Sequence, residues 1–78
     1  MSKKYMLVTY IKKIDGRWDE ITDFKDKLKP KDLQMTRVIL DLHEKKIVKN
    51  SFNPDAGFED MMDYYKRALG DQLTPYLD

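Results

Sequence analysis

The 78-residue sequence contains no cysteine, and it has only three glycines, three prolines, one histidine and one tryptophan. Without cysteine, the chain has neither a disulfide framework nor a cysteine-ligated zinc site. Its apolar run at residues 5–11 is interrupted by Thr9, which makes it too short to cross a bilayer, and no small-residue cleavage site follows it. We therefore expect a cytoplasmic protein with no membrane segment.

Residues typical of catalytic or metal sites are equally scarce. His43 is the single histidine, so no second histidine or cysteine completes a common catalytic or zinc constellation. Ser51 lies in no recognisable nucleophile elbow. Glu59, Asp60 and Asp63 cluster near the start of a predicted helix, where they compensate the helix dipole. We predict no enzymatic activity, no cofactor and no bound metal.

The composition that is present favours one folded domain over residues 1–78. Hydrophobic residues make up 41% of the chain and charged residues 37%, with a net charge of +1. This balance is unlike that of a disordered tail. A domain of this size buries only roughly 60% of its unfolded surface, so its core is small.

The first half of the chain predicts a β-hairpin. Residues 5–13 are rich in aromatic and β-branched side chains and apolar on both alternating faces, which indicates an interior strand. The Asp15-Gly16 pair favours a tight reversal. Residues 18–24 then supply a partner strand nearer an edge, in which Trp18 is expected to anchor the sheet core.

A second, central hairpin is predicted at residues 36–52, with a polar reversal at residues 43–46. Its register is open. If Leu42 lies opposite Ile47, then Ile47 shares a face with Val38 and Leu40. A shift by one residue places Val48 on that face instead.

The connection between the hairpins, residues 25–34, is dense in charge and contains Pro30. Proline cannot donate a backbone hydrogen bond but suits the first turn of a helix. We predict a loop with a short helical piece that begins at Pro30 and is held down by Leu28 and Leu33.

The last part of the chain predicts one amphipathic helix. Asn53 or Asp55 caps it, and Gly70 ends it. One methionine of the Met61-Met62 doublet should enter the core. Its apolar positions follow the spacing of three and four residues that forms a single stripe: Phe58, Met61, Met62, Tyr65, Ala68 and Leu69.

These elements predict an α+β fold in which an antiparallel sheet of about four strands carries the C-terminal helix on one face. Because one helix covers only one face, apolar side chains on the other face are expected to remain open. We predict self-association, as a homo-oligomer, or binding of a protein partner there. The residues expected to take part are Met6, Val8, Tyr10 and Ile39 on the sheet, joined by either Ile47 or Val48, and Tyr64 on the helix.

An alternative function is nucleic-acid binding, in which cations contact phosphate groups and exposed rings stack on bases. Tyr10 and Trp18 are the nearby rings. The near-neutral net charge and the lack of a nucleic-acid-binding motif make this alternative the weaker one. Its cations are those of the basic segment, Lys25, Lys27, Lys29 and Lys31, together with Lys12, Lys13 and Arg17 on the first hairpin.

Four segments, KKYMLVTYIKK, LKPKDLQ, VILDLHEKKIVK and DMMDYYKR, resemble small uncharacterised proteins encoded by tailed phages that infect marine cyanobacteria. The resemblance covers most of the chain and includes no catalytic motif. It implies a protein that acts in an infected bacterial cell by binding host machinery. The expected function is accordingly a small, non-enzymatic protein-binding or regulatory module.

Overall fold

The computed structural model describes residues 3–77 and contains four strands and two α-helices. Two short 3₁₀ turns, Gly70–Gln72 and Thr74–Tyr76, follow the second helix. The elements in chain order are β1 (Tyr5–Lys12), β2 (Trp18–Lys25), α1 (Pro30–Met35), β3 (Val38–Asp41), β4 (Lys46–Asn50) and α2 (Phe58–Leu69).

The four strands form one antiparallel sheet in the order β2-β1-β3-β4, which confirms the predicted α+β fold and both hairpins. β1 lies between β2 and β3 and is antiparallel to each of them. β2 and β3 are therefore parallel to one another, and the connection between them through α1 crosses the sheet.

We call the side of the sheet under α2 the first face, and it holds the main core. Cα pairing places Met6 opposite Leu40 and Val8 opposite Val38 on this face. All four side chains are fully buried. They pack against Met61 and Met62, so both methionines of the doublet are in the core and the prediction of only one is wrong. They also pack against Tyr65 of α2 and against Leu73, which follows α2.

On the opposite side, the second face, α1 covers the part around Leu7 and Ile39, while Ile11 and Ile21 on the same face remain 48% and 45% exposed. Lys25 and Lys49 point to this face, and their ammonium groups reach the Asp32 carboxylate at 2.7 Å and the Leu33 carbonyl oxygen at 2.6 Å. These contacts hold α1 across the sheet, above the buried pair Leu7 and Ile39. The predicted short helix at Pro30 is confirmed.

The expectation of an open sheet face lined by Met6, Val8 and Ile39 is wrong. Each of these side chains is 0% exposed. Met6 and Val8 lie on the first face under α2, and Ile39 lies on the second face, beside the α1 crossover. The short helix, although only six residues long, supplies the second cover that the periodicity of the sequence does not reveal.

The sequence leaves the register of the central hairpin open. In the structure, the β3–β4 pairing has an irregularity between Ile39 and Leu40, which sets this register. Leu40 lies opposite Ile47 and Ile39 lies opposite Lys49, so Val48 is the extra residue of a bulge. Ile47 therefore packs on the core of the first face. Val48 is exposed.

The reversal after β3 depends on Asp41, whose side chain is buried. Its carboxylate accepts hydrogen bonds from the backbone N–H groups of His43 at 3.1 Å and Glu44 at 2.9 Å. The Lys4 ammonium lies 3.6 Å away. Lys45 completes the reversal with φ at 57°, a conformation that costs energy for a residue with a Cβ atom.

The helix α2 begins after Gly57, so the predicted caps Asn53 and Asp55 are wrong. Asn53 instead exchanges two hydrogen bonds with the side chain of Asn50. The helix ends as predicted at Gly70, where φ is 54°. Past it, the ring of Tyr76 stacks on Phe24 with centroids 3.8 Å apart.

Within the described residues 3–77, no helix combines the length and apolar character needed to cross a membrane.

Candidate functional site: an aromatic groove at the sheet end

The first hairpin extends past the rest of the sheet. β1 pairs with β2 along all eight of its residues but pairs with β3 only from Tyr5 to Val8. The far end of the hairpin therefore has no strand beside it on the β3 side. Tyr10 and Trp18 lie on this extension. Tyr10 belongs to the first face because it is two residues beyond Val8, and Trp18 shares that face because it lies opposite Lys12, two residues further on.

An open groove of about 540 Å³ occupies this end of the first face. We call it the aromatic groove. One wall comes from the extended hairpin, another from the segment after β4, and a third from α2. The lining residues are Tyr10, Trp18, Glu20, Arg37, Ser51, Phe52 and Tyr64.

Four of the seven residues that line the groove are aromatic. Phe52 stacks on Tyr10 with centroids 4.9 Å apart. Tyr64 meets the buried Tyr65 edge to face at 5.0 Å. Trp18, Phe52 and Tyr64 remain 62%, 59% and 49% exposed. Large rings that are fixed by neighbouring rings yet open to solvent are typical of surfaces that bind a partner.

Hydroxyl groups fix two of these rings. The hydroxyls of Tyr10 and Tyr65 lie 3.3 Å apart, and Tyr64 donates to the Glu20 carboxylate at 3.4 Å. Burial, followed by the hydrogen bond to Tyr65, raises the pKa of Tyr10 far above its ordinary value. Burial raises the pKa of Tyr65 to about 12. The negative charge of Glu20 raises the pKa of Tyr64.

The groove is lined by two charged side chains of opposite sign. Glu20 contributes one negative charge, and Arg37, which is exposed, contributes one positive charge. Among residues 3–77, the Arg37 guanidinium has no carboxylate within salt-bridge distance. The groove thus presents apolar rings with one fixed acceptor and one available cation.

The histidine of the chain lies outside the groove. Ser51 is the hydroxyl nucleophile of the lining, but no histidine accompanies it. His43 lies in the β3–β4 reversal beside Asp41, which is opposite Tyr5 at the other end of β1. Over residues 3–77, no three His, Asp or Glu side chains gather closely enough to hold a metal ion.

Two of the predicted partner-binding residues, Tyr10 and Tyr64, line the aromatic groove. Met6, Val8 and Ile39 do not, because they are buried elsewhere in the sheet. Trp18, expected in the core, is instead an exposed wall of the groove.

The basic segment does not form one surface with these rings. Lys25 pairs with Asp32, whose carboxylate also accepts the Lys29 backbone N–H at 2.9 Å. The hydrogen bond from Lys25 lowers the pKa of Asp32. Lys27, Lys29 and Lys31 are exposed, but β2 separates Lys25 from Trp18 by about 23 Å at 3.3 Å per residue.

Sequence reasoning missed Phe52 and Arg37 as members of the site. Phe52 ends a β-rich run and Arg37 begins another, so each fits an ordinary strand position. Both residues line the same groove as Tyr10 because of the sheet order and the turn after β4. No local sequence signal places either residue in the groove.

A smaller depression of about 280 Å³ lies near the C-terminal end of the structure and mixes apolar with charged side chains. It holds Glu59, but Asp60 and Asp63 of the predicted acidic cluster are not among its lining residues. Its lining residues are Leu42, Lys45, Phe58, Glu59, Met62, Lys66 and Leu77.

No protein-family description, curated protein or solved structure matches the chain.

Proposed function

We propose that the protein is a small, non-enzymatic binding module whose aromatic groove receives a segment of a partner protein. The observation that carries this proposal is the set of exposed rings held by Tyr10–Phe52 stacking and by the Tyr64–Glu20 hydrogen bond. Rings that are already ordered lose little conformational entropy on binding, which favours affinity.

Charge supports a protein segment over a nucleic acid as the occupant. Nucleic-acid sites neutralise phosphates with several cations. The lining of the groove includes one cation, Arg37, and one carboxylate, that of Glu20. The exposed lysines at 27, 29 and 31 lie at the other end of β2, away from the rings.

The resemblance to phage proteins suggests that the partner belongs to the infected cell. This part of the proposal rests on that resemblance. The chemistry of the groove defines the partner more narrowly, as a segment with apolar or aromatic side chains and a carboxylate or carbonyl group for Arg37.

A display library of random peptides tests the proposal. The affinities of peptides selected on the wild-type protein are then measured for the variants Phe52→Ala and Trp18→Ala. Met35→Ala is the control, because Met35 is also an exposed apolar side chain but lies on α1. Aromatic residues at the centre of an interface contribute about 2 kcal/mol or more, which is about 30-fold in affinity.

We expect both groove variants to lose about 30-fold in affinity while Met35→Ala retains it, with all three keeping wild-type circular dichroism. Equal affinity for the groove and control variants would refute the groove. A mixed single-stranded oligonucleotide is measured in parallel. Tight oligonucleotide binding that is abolished by Phe52→Ala would show that the occupant is nucleic acid and would overturn the proposal.

A further inference from the structure

The sheet has two edges of very different quality. β4 is five residues long and its pairing with β3 is bulged. β2 is eight residues long, and its register with β1 runs without interruption from Trp18 to Lys25. A long, regular edge presents a row of backbone donors and acceptors that another extended chain can pair with.

Hydrogen bonds on β1 identify which backbone groups of β2 face outward. The carbonyl oxygens of Lys4 and Val8 accept from β3 and its flanks, so even-numbered residues of β1 face β3. The Lys13 N–H donates to the Arg17 carbonyl oxygen at 2.7 Å, so odd-numbered residues face the β2 side. In this register odd-numbered residues of β2 pair inward.

The outward backbone groups of β2 therefore belong to its even-numbered residues. Phe24 confirms the alternation, because its N–H donates to the Asp23 side chain at 2.9 Å and not to β1. This bond occupies one end of the edge. The groups left facing outward belong to Trp18, Glu20 and Thr22.

The charges of β2 determine which extended chain fits. Asp19 and Asp23 are exposed on the second face, and Glu20 lies on the first. Lys25, the cation of the strand, is already paired with Asp32. A second copy of β2 would bring its own three carboxylates against these three, which is unfavourable. A basic chain gains attraction from the same carboxylates.

We infer that the outer edge of β2 receives an extended, basic segment of the partner protein as a fifth strand. The inference rests on the proposed function, because Trp18 and Glu20 belong both to this edge and to the aromatic groove. A strand beside β2 places alternate side chains next to the Trp18 ring on the first face. Its other side chains lie next to Asp19 and Asp23 on the second face.

The probe for this edge is a fluorescein-labelled peptide of alternating lysine and valine, as long as β2. In the register that matches the charges of β2, all its lysines lie on the side of Asp19 and Asp23, and all its valines lie on the side of Trp18 and Thr22. A glutamate–valine peptide of the same length is the charge control. Binding is measured by fluorescence anisotropy at low and at moderate salt.

Thr22 provides a backbone-specific variant. Because its N–H faces outward, Thr22→Pro removes an edge donor and adds a ring there without breaking the β1–β2 ladder, as proline is tolerated on edge strands. Thr22→Ala changes the same side chain but keeps the N–H group. Equal circular dichroism and thermal midpoints establish that both variants are folded.

We expect the lysine–valine peptide to bind the wild-type protein and Thr22→Ala alike, to bind Thr22→Pro about tenfold more weakly, and to weaken as salt rises. The glutamate–valine peptide should not bind. Equal affinity for Thr22→Pro and Thr22→Ala would overturn the inference, and so would a dimer in sedimentation that Thr22→Pro dissociates, since the occupant would then be a second copy.

The two proposals fail separately. If library-selected peptides lose affinity for Phe52→Ala while the lysine–valine peptide ignores Thr22→Pro, the groove is retained and the strand-addition inference is wrong. If Phe52→Ala and Trp18→Ala have no effect on any selected peptide, the proposed function is wrong. Should Thr22→Pro unfold, the edge is tested with Asp19→Asn and Asp23→Asn together, which should remove the salt dependence of lysine–valine binding.

Discussion

Asp41 allows the sharpest test of how the central hairpin is held. Its side chain is 1% exposed, and its carboxylate accepts the His43 and Glu44 N–H groups while the Lys4 ammonium lies 3.6 Å away. Asp41→Asn preserves the shape and one acceptor oxygen but removes the negative charge. The variant therefore isolates the electrostatic contribution of a buried carboxylate to this reversal.

The expected cost at neutral pH is about 1–2 kcal/mol. A hydrogen bond to a charged group contributes about 1.5–3 kcal/mol, against about 1 kcal/mol for a neutral one. Asparagine keeps a neutral bond, and Lys4 is partly solvated, so only the difference is lost. For a domain of this size, a loss of about 1–2 kcal/mol lowers Tm by roughly 4–16 °C.

The same contribution predicts a pH dependence. Burial tends to raise the pKa of the Asp41 carboxyl, but the Glu44 and His43 backbone N–H groups and the Lys4 ammonium outweigh burial, and the pKa lies below its ordinary value. A lowered folded-state pKa stabilises the protein above the ordinary carboxyl pKa, and this stabilisation is lost as the pH falls through the folded-state value. The gap between wild type and Asp41→Asn should therefore close in acid.

Urea denaturation followed by circular dichroism, at a series of pH values, measures this gap as a difference in the free energy of unfolding. Groups such as Asp32 titrate in both proteins and cancel in the difference. Equal stabilities at neutral pH would refute the role of the Asp41 charge. A gap that stays constant down to the acid limit would show that packing, and not ionisation, separates the two proteins.

Two further substitutions test the phenol pair and the strained reversal. Tyr65→Phe removes the hydroxyl that lies 3.3 Å from that of Tyr10, so it should lower the free energy of unfolding, measured by urea denaturation, by about 1 kcal/mol. An unchanged free energy of unfolding would contradict the pairing. Lys45→Gly relieves a φ of 57° and should raise the free energy of unfolding by about 0.5–1 kcal/mol, whereas Lys46→Gly in β4 should lower it. Similar effects of both glycines would argue against strain at Lys45.

Much of the fold follows from local sequence signals. Alternating apolar residues define the strands, Asp15-Gly16 defines the first reversal, and the spacing of three and four residues defines α2. Pro30 marks the start of α1. The Trp18 environment was mispredicted because aromatic character indicates burial only on average, whereas this ring lies where the hairpin extends past the sheet.

The candidate site was less predictable because its walls come from separate parts of the chain. Tyr10 and Tyr64 are identified by sequence as partner-binding candidates, and the structure brings them into one groove. Phe52 and Arg37 join them only through the sheet order β2-β1-β3-β4. Met6, Val8 and Ile39 are apolar, as exposed partner-binding residues often are. No local sequence pattern distinguishes these buried side chains from exposed ones.

The sequence by itself determines that this protein forms two hairpins and one amphipathic helix, because each depends on side-chain periodicity and on residues that favour turns. Tertiary structure decides which apolar face is covered. The Lys25–Asp32 and Lys49–Leu33 contacts hold α1 over the second face, while the unequal lengths of the two hairpins leave the rings around Tyr10 open. Both outcomes depend on contacts between residues distant in sequence, which no local pattern encodes.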